Sequence, residues 1–219
     1  MSEKLKKLFW ACPSGSCNES RSPQLLKSLR FLNSGLCLGM FLMGFPFFPE
    51  IYFIYLTHWG VVLTFLFNCV SLASLVCKRA DPVAYLLFEV AWTVEWVVTL
   101  LFWTTIAPLV SLEGGDLVYN FVVHILPMAL LLLDFSLNRI LFLRDHYSWV
   151  AALMLVYVLG VNLPVTLTYQ TVYPLITYDN AWTYLILLAA VLIAAGFFEL
   201  AVYIKKRQFL KRHSLLITL

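Results

Sequence analysis

Six stretches of about twenty mostly apolar residues dominate this sequence, more than one soluble core can bury. They occupy 29–48, 57–77, 84–108, 117–142, 149–170 and 182–204 of the 219 residues. Each can cross a hydrocarbon layer of ~30 Å as a helix rising ~1.5 Å per residue. Composition agrees: 62% of the chain is apolar and 12% charged, where a soluble domain has about 45–50% and about 25%. A bilayer offers no water to open backbone groups, so such segments close their hydrogen bonds internally as helices. The predicted fold class is all-α, an integral membrane bundle of six transmembrane helices. The chain divides into a tail at 1–28, a transmembrane domain at 29–204 and a basic tail at 205–219. The connectors are too short to hold a domain, so any chemistry belongs to the helices and their mouths.

The basic residues set the expected orientation. Six lie at the start (Lys4, Lys6, Lys7, Arg21, Lys27, Arg30), Lys78 and Arg79 follow span two, and Arg139 and Arg144 follow span four. Lys205, Lys206, Arg207, Lys211 and Arg212 close the chain, which accounts for all 15. Six crossings place every one of them on the same side, and the opposite connectors carry only Glu50, Glu113, Asp116 and Asp179. The positive-inside rule then puts both termini in the cytoplasm. The net charge of +3 resides in the flanks, so membrane lipids and other membrane proteins are the expected partners and nucleic acid is not. Leu5, Leu8 and Phe9 among lysines form a short amphipathic stretch suited to an anionic membrane surface. No secretory leader is expected at this N-terminus.

Polar residues inside spans are costly and fall into two groups. Toward the basic side lie Glu89 and Glu95 in span three, Asp134, Asn138 and Arg139 in span four, and Glu199 in span six. Asp134 and Asn138 are four apart and share a helix face. One reading is a network that glues the bundle, with Glu89 or Glu199 paired to Arg139; another is a proton or ion path through Glu95 and Asp134. At the opposite end, Thr57 and His58 open span two while His124 enters span four. Topology brings a hydroxyl and an imidazole to one depth, and histidine can take the proton of an attacking hydroxyl. The alternative makes Thr57 an ordinary helix N-cap and His124 a buried polar group. Neither cofactor nor metal is expected. Cys12 and Cys17 lack further ligands for a four-coordinate zinc, His58 and His124 alone are a weak haem or metal pair, and Cys37, Cys69 and Cys77 read as buried small apolar residues.

The tracts YFIYLTHWG before span two, NFVVHILPMALLLLD in span four and VYPLITYDNAW before span six resemble the androgen-induced family of membrane proteins, including its rolling stone branch. The resemblance runs from about Phe31 to Tyr203. It implies a six-span threonine hydrolase that cleaves lipid esters such as fatty-acid esters of hydroxy fatty acids. Thr57 falls on the family's catalytic threonine and His124 on its histidine, with His58, Tyr119, Asn120 and Tyr173 near the same mouth as support or oxyanion donors. The spacing of His124 and Asp134 is closer to the rolling stone branch. Asp134 lies ten residues beyond His124, ~15 Å along a helix, too far to orient the imidazole. A non-catalytic subunit of a membrane complex and an ion-translocating protein are the competing functions. The endoplasmic reticulum or the plasma membrane is the expected location, with a mitochondrial membrane left open.

Overall fold

The computed structural model describes residues 20, 22–46 and 49–217, with side chains as far as 210. Most of the 1–28 tail, including the amphipathic stretch and Cys12 and Cys17, lies outside them. The main helices are α1 (Pro23–Gly44), the short α2 (Pro49–Tyr52), α3 (Leu56–Ala73), α4 (Asp81–Leu101), α5 (Gly114–Leu137), α6 (Tyr147–Tyr157), α7 (Leu163–Thr168) and α8 (Ala181–Ile217). Six helical spans are long and apolar enough to cross a membrane, with α6 and α7 sharing one of them. No strand occurs among the described residues. Phe31, Leu155, Leu188 and Leu192 are among many large apolar side chains facing outward, as lipid-facing surfaces require.

Contacts fix the packing. Arg30 lies over Phe67 while Cys37 clusters with Val61, so α1 and α3 are antiparallel. Thr64 meets Glu95 and Phe67 meets Phe88, so α3 and α4 are too. Thr99 meets His124 and Trp92 stacks on Phe135, which sets α4 against α5 in the same sense. Helix α4 is central: 67% of its span window is buried, against 17–44% for the other five. Cys37 is buried as expected, but Cys69 is half-buried and Cys77 exposed.

Two departures from the sequence expectation matter. First, the fourth helix ends at Leu137 rather than near 142. Asn138 terminates it: its Nδ2 donates to Asp134 Oδ1 at 2.6 Å and its Oδ1 accepts the Ile140 N–H at 3.0 Å, a local bond that competes with the helix. The chain then runs without helix to Leu143, burying Asn138, Ile140 and Phe142 in alternation. Tyr85 OH accepts the Leu141 N–H at 2.8 Å and Glu89 Oε1 the Leu143 N–H at 2.6 Å, so the open backbone finds partners inside the protein. Second, α4 continues as a π-turn at Phe102–Ile106 and α6 as another at Val158–Asn162. Pro108 and Pro164 explain both, because each withholds an N–H from the carbonyl four residues earlier. Such widened turns recur at functional sites.

The first helix begins at Pro23, inside the expected tail, and α8 runs beyond residue 204 to Ile217. Lys205 therefore belongs to the bundle. The residue is 2% exposed, and its amine donates to the Phe135 carbonyl and to Asn138 O and Oδ1 at 2.8 and 2.9 Å and lies 4.2 Å from the Phe135 ring centre. A cation at the C-terminus of α5 satisfies carbonyls that the helix leaves open and opposes its dipole.

Candidate functional site

The start of α3 is held by side chains from two other segments. The Leu56 N–H donates to Tyr173 OH at 2.9 Å and to Tyr157 OH at 3.1 Å, and Tyr157 O–H donates to the Ile54 carbonyl at 2.7 Å. Trp59 Nε1 donates to the Phe53 carbonyl at 2.8 Å. The helix cap is Tyr55, with no side-chain cap bond. Thr57 is thus the second helical residue and not the N-cap. Its hydroxyl is free to face inward, where it lies 3.4 Å from His124 Nδ1.

His124 is fixed as firmly. Its carbonyl accepts the Thr99 hydroxyl at 2.5 Å, and its ring stacks on Phe102 with centroids 3.5 Å apart and planes 10° apart. Phe102 opens the first π-turn, so the irregularity of α4 supports the imidazole. Thr57 and His124 are each 6% exposed. The 3.4 Å separation is long for a hydrogen bond, but catalytic contacts commonly tighten only with substrate bound.

His58 does not compete for the role of base. Its Nδ1 lies 2.6 Å from the Tyr52 carbonyl. A carbonyl only accepts, so in the neutral ring Nδ1 carries the proton and Nε2 accepts from Tyr119 O–H at 3.3 Å. The ring also stacks on Tyr52 at 3.8 Å. Gly44 permits this cluster: a Cβ there would sit 2.9 Å from Tyr52 and 3.2 Å from Tyr119 OH. Asn120 donates through Nδ2 to the Asp116 carbonyl at 2.8 Å. Among the proposed support residues from other segments, Tyr173 is bonded directly to the helix start that carries Thr57.

Two cavities meet at the Thr57–His124 pair. One, about 720 Å³ with its opening included, is an apolar chamber walled by Val97 and Leu101, by Met154 and Val158, and by Ile186 and Ala190. The other, about 680 Å³, is a vestibule toward the acidic connectors, lined by Tyr55, His58, Tyr119, Asn120, Val123 and Pro174 among others. Thr57, Phe102, Ile106, His124 and Tyr173 line both. Leu175 and Ile176 cover the chamber in a loop tied by Ile176 N–H to the Tyr173 carbonyl at 2.9 Å and by Tyr178 OH to Asn162 Oδ1 at 2.5 Å. Enclosure of the Tyr173 phenol pushes it up to about 12, so it remains a donor at neutral pH.

The polar residues toward the basic side form separate clusters. Asp134 is paired with Arg30, through Nε to Oδ2 at 2.6 Å and Nη2 to Oδ1 at 2.9 Å, with both side chains fully buried. Glu89 meets His146 besides the Leu143 N–H, and Glu199 meets Arg144 at 2.7 Å on the exposed rim. The expected pairing of Glu89 or Glu199 with Arg139 is therefore incorrect. Arg139 lies beyond the end of α5, and its buried Nε has no hydrogen-bond partner. Glu95 stands apart: Oε1 accepts the Thr64 hydroxyl at 3.3 Å, Oε2 has no partner, and Gly60 leaves room for the carboxyl. No hydrogen bond joins Glu95 to Asp134 among the described residues, and both Asp134 oxygens are engaged. No cluster of three or more His, Cys, Asp or Glu suited to a metal occurs among these residues.

Sequence reasoning missed Tyr157, Phe102, Thr99 and Arg30. Arg30 had a usable signal: Leu26, Arg30, Asn33, Cys37, Met40 and Gly44 follow the alternating three- and four-residue spacing of one buried helix face. Comparison with family models, curated proteins and solved structures returns no match.

Proposed function

We propose that this chain is an intramembrane hydrolase of lipid esters, with Thr57 as nucleophile and His124 as general base. The observation that carries the reading is the Thr57 hydroxyl, 3.4 Å from His124 Nδ1, at the junction of an apolar chamber and a polar vestibule. The acyl chain occupies the chamber, the ester carbonyl lies at the junction and the alcohol part lies in the vestibule, where water has access. A fatty-acid ester of a hydroxy fatty acid is one lipid of this class, and the family resemblance points the same way. The expected membrane is the endoplasmic reticulum or the plasma membrane, with the basic flanks in the cytoplasm and the site toward the far face.

In this reading the Thr57 oxygen attacks the carbonyl carbon as its proton passes to His124 Nδ1. The tetrahedral oxyanion collapses, the ester C–O bond breaks and the departing alcohol takes the proton from His124. Water then attacks acyl-Thr57, giving its proton to His124, and the acid leaves as Thr57 recovers a proton. Two donors suit the oxyanion. The Thr57 N–H belongs to the open first turn of α3; its neighbours are taken, Leu56 N–H by the two tyrosines and His58 N–H by the Tyr55 carbonyl. The other is Tyr173 O–H. Its oxygen accepts from Leu56 N–H. Its proton faces Tyr157 OH at 3.2 Å in the free site, because Tyr157 gives its own to Ile54, and turns to the oxyanion in the reaction.

The test is turnover of p-nitrophenyl palmitate by purified protein in nanodiscs. Thr57→Ala and His124→Ala should each lower it at least about 100-fold while the melting temperature stays within a few degrees, and Thr57→Ser should retain activity. Folded Ala variants that hydrolyse the ester within a few-fold of the parent would overturn the assignment.

A further inference from the structure

The vestibule constrains the part of the lipid that leaves. Among the described residues no Lys, Arg, Asp or Glu lines it; its walls include Tyr55, Phe102, Tyr119 and Tyr173. Tyr55 meets Tyr173 and His58 edge-on, each with centroids 6.0 Å apart, so rings from the start of α3 and from the loop before α8 converge there. Outside this aromatic wall the connectors of the same end carry Glu50, Glu113, Asp116 and Asp179 and no Lys or Arg. Asp116 is exposed and lies on the α5 face that carries Tyr119, Asn120 and His124. It is one turn outward from Asn120, whose Nδ2 bonds its carbonyl, and about 12 Å along the helix from His124.

A ligand head at this depth meets aromatic faces first and carboxylates next, with no cation to pair an anion. Aromatic faces attract cations, quaternary ammonium groups above all, and carboxylates at the same mouth add a screened attraction while opposing a negative head. We infer that the vestibule selects an ester lipid whose alcohol part ends in a quaternary ammonium group and discriminates against one ending in a free carboxylate. This rests on the chamber–vestibule reading of the site, and it opposes the carboxylate-bearing alcohol of the hydroxy fatty acid esters.

The experiment uses three hexadecyl ethers, which cannot be hydrolysed, carrying trimethylammonium, hydroxyl or carboxylate at the end of one common short linker. Binding to the full chain in zwitterionic nanodiscs is measured beside turnover of the corresponding palmitoyl esters. The trimethylammonium ether should bind tightest, the hydroxyl ether next and the carboxylate ether weakest, with about ten-fold between the extremes at low salt. The gap should shrink about three-fold in ~0.5 M salt and in the exposed double variant Glu113→Gln/Asp116→Asn. Equal or tighter binding of the carboxylate ether, or no binding of any ether, overturns the inference. The expected order without turnover of any ester supports the vestibule assignment and removes the hydrolase; turnover with a flat order does the reverse.

Discussion

Replacing Asp134 by Leu leaves the Arg30 guanidinium fully buried without its carboxylate. The pair forms two charge-assisted hydrogen bonds at 2.6 and 2.9 Å, and both side chains are 0% exposed. Removing one partner of a buried ion pair costs about 3–5 kcal/mol, and here Asn138 also loses the acceptor for its Nδ2, adding about 1 kcal/mol. The single change should therefore destabilise the bundle by about 4–6 kcal/mol. Arg30→Met/Asp134→Leu should behave differently. It removes both charges and keeps an apolar volume, and a buried pair replaced in this way is often neutral or better. Arg30 also covers the Phe67 ring at 5.0 Å, but a Met thioether can make a comparable aromatic contact. The double variant should then lie within about 1.5 kcal/mol of the parent, a coupling of several kcal/mol.

Unfolding in mixed micelles of increasing SDS content, followed by fluorescence of the seven tryptophans, measures all four corners of this cycle. Ester turnover should persist within a few-fold in the double variant, because the pair lies on the opposite half of the bundle from Thr57. A single-variant cost below about 1 kcal/mol, or a double-variant cost equal to the sum of the singles, would refute the buried-pair argument. Ion flux in proteoliposomes that disappears in the double variant while the fold persists would instead favour translocation through Asp134.

Three further perturbations address Glu95 and the site. Gly60→Ala would place a Cβ 2.5 Å from Glu95 Oε1; overpacking of about 1–3 kcal/mol, offset by about 1 kcal/mol of helix propensity, should lower the SDS midpoint, and Glu95→Ala in the same chain should reverse the loss. Tyr173→Phe should lower kcat at least about ten-fold through loss of an oxyanion donor, with little change in melting because Tyr157 OH still accepts the Leu56 N–H; unchanged kcat would remove Tyr173 from the oxyanion site. Ala190→Phe narrows the chamber and should depress turnover of long acyl esters at least about ten-fold while sparing p-nitrophenyl acetate; equal loss on both would show that the acyl chain lies elsewhere.

The six spans were legible because crossing a bilayer imposes one length on every helix, and basic residues fall on one side of that pattern. Thr57 and His124 were legible as neighbours for the same reason, since antiparallel spans bring equal depths together. The end of span four was not, because hydropathy continues through Ile140 and Phe142 while Asn138 stops the helix with a side-chain bond. Arg30 and Lys205 were grouped with the flanking charges that set orientation, yet both turn inward, Arg30 to Asp134 and Lys205 to the open end of α5. A charge near a span boundary reports its depth, whereas its helix face decides whether it meets water or a partner.

The chamber was hidden from hydropathy for a deeper reason. A residue facing bilayer lipid and one facing a bound acyl chain meet the same hydrocarbon, so selection for either gives the same apolar side chains. Ile186 and Ala190 line the chamber while Leu185, Leu188 and Leu192 of the same helix face outward, and nothing in their hydrophobicity separates the two sets. What distinguishes the chamber is backbone irregularity around it. Pro108 and Pro164 lie just beyond the two π-turns, and those turns supply Phe102, Ile106, Val158 and Asn162 to its wall. In a bundle whose lipid-facing surface tolerates regular helices, a proline near the end of a span and at the depth of a hydroxyl–imidazole pair marks the place where two helices must part. The space they leave beside Thr57 is apolar, which suits the lipid tail of the proposed substrate, and the vestibule beyond is aromatic and polar, which suits the alcohol and water that the proposed hydrolysis brings to one carbonyl.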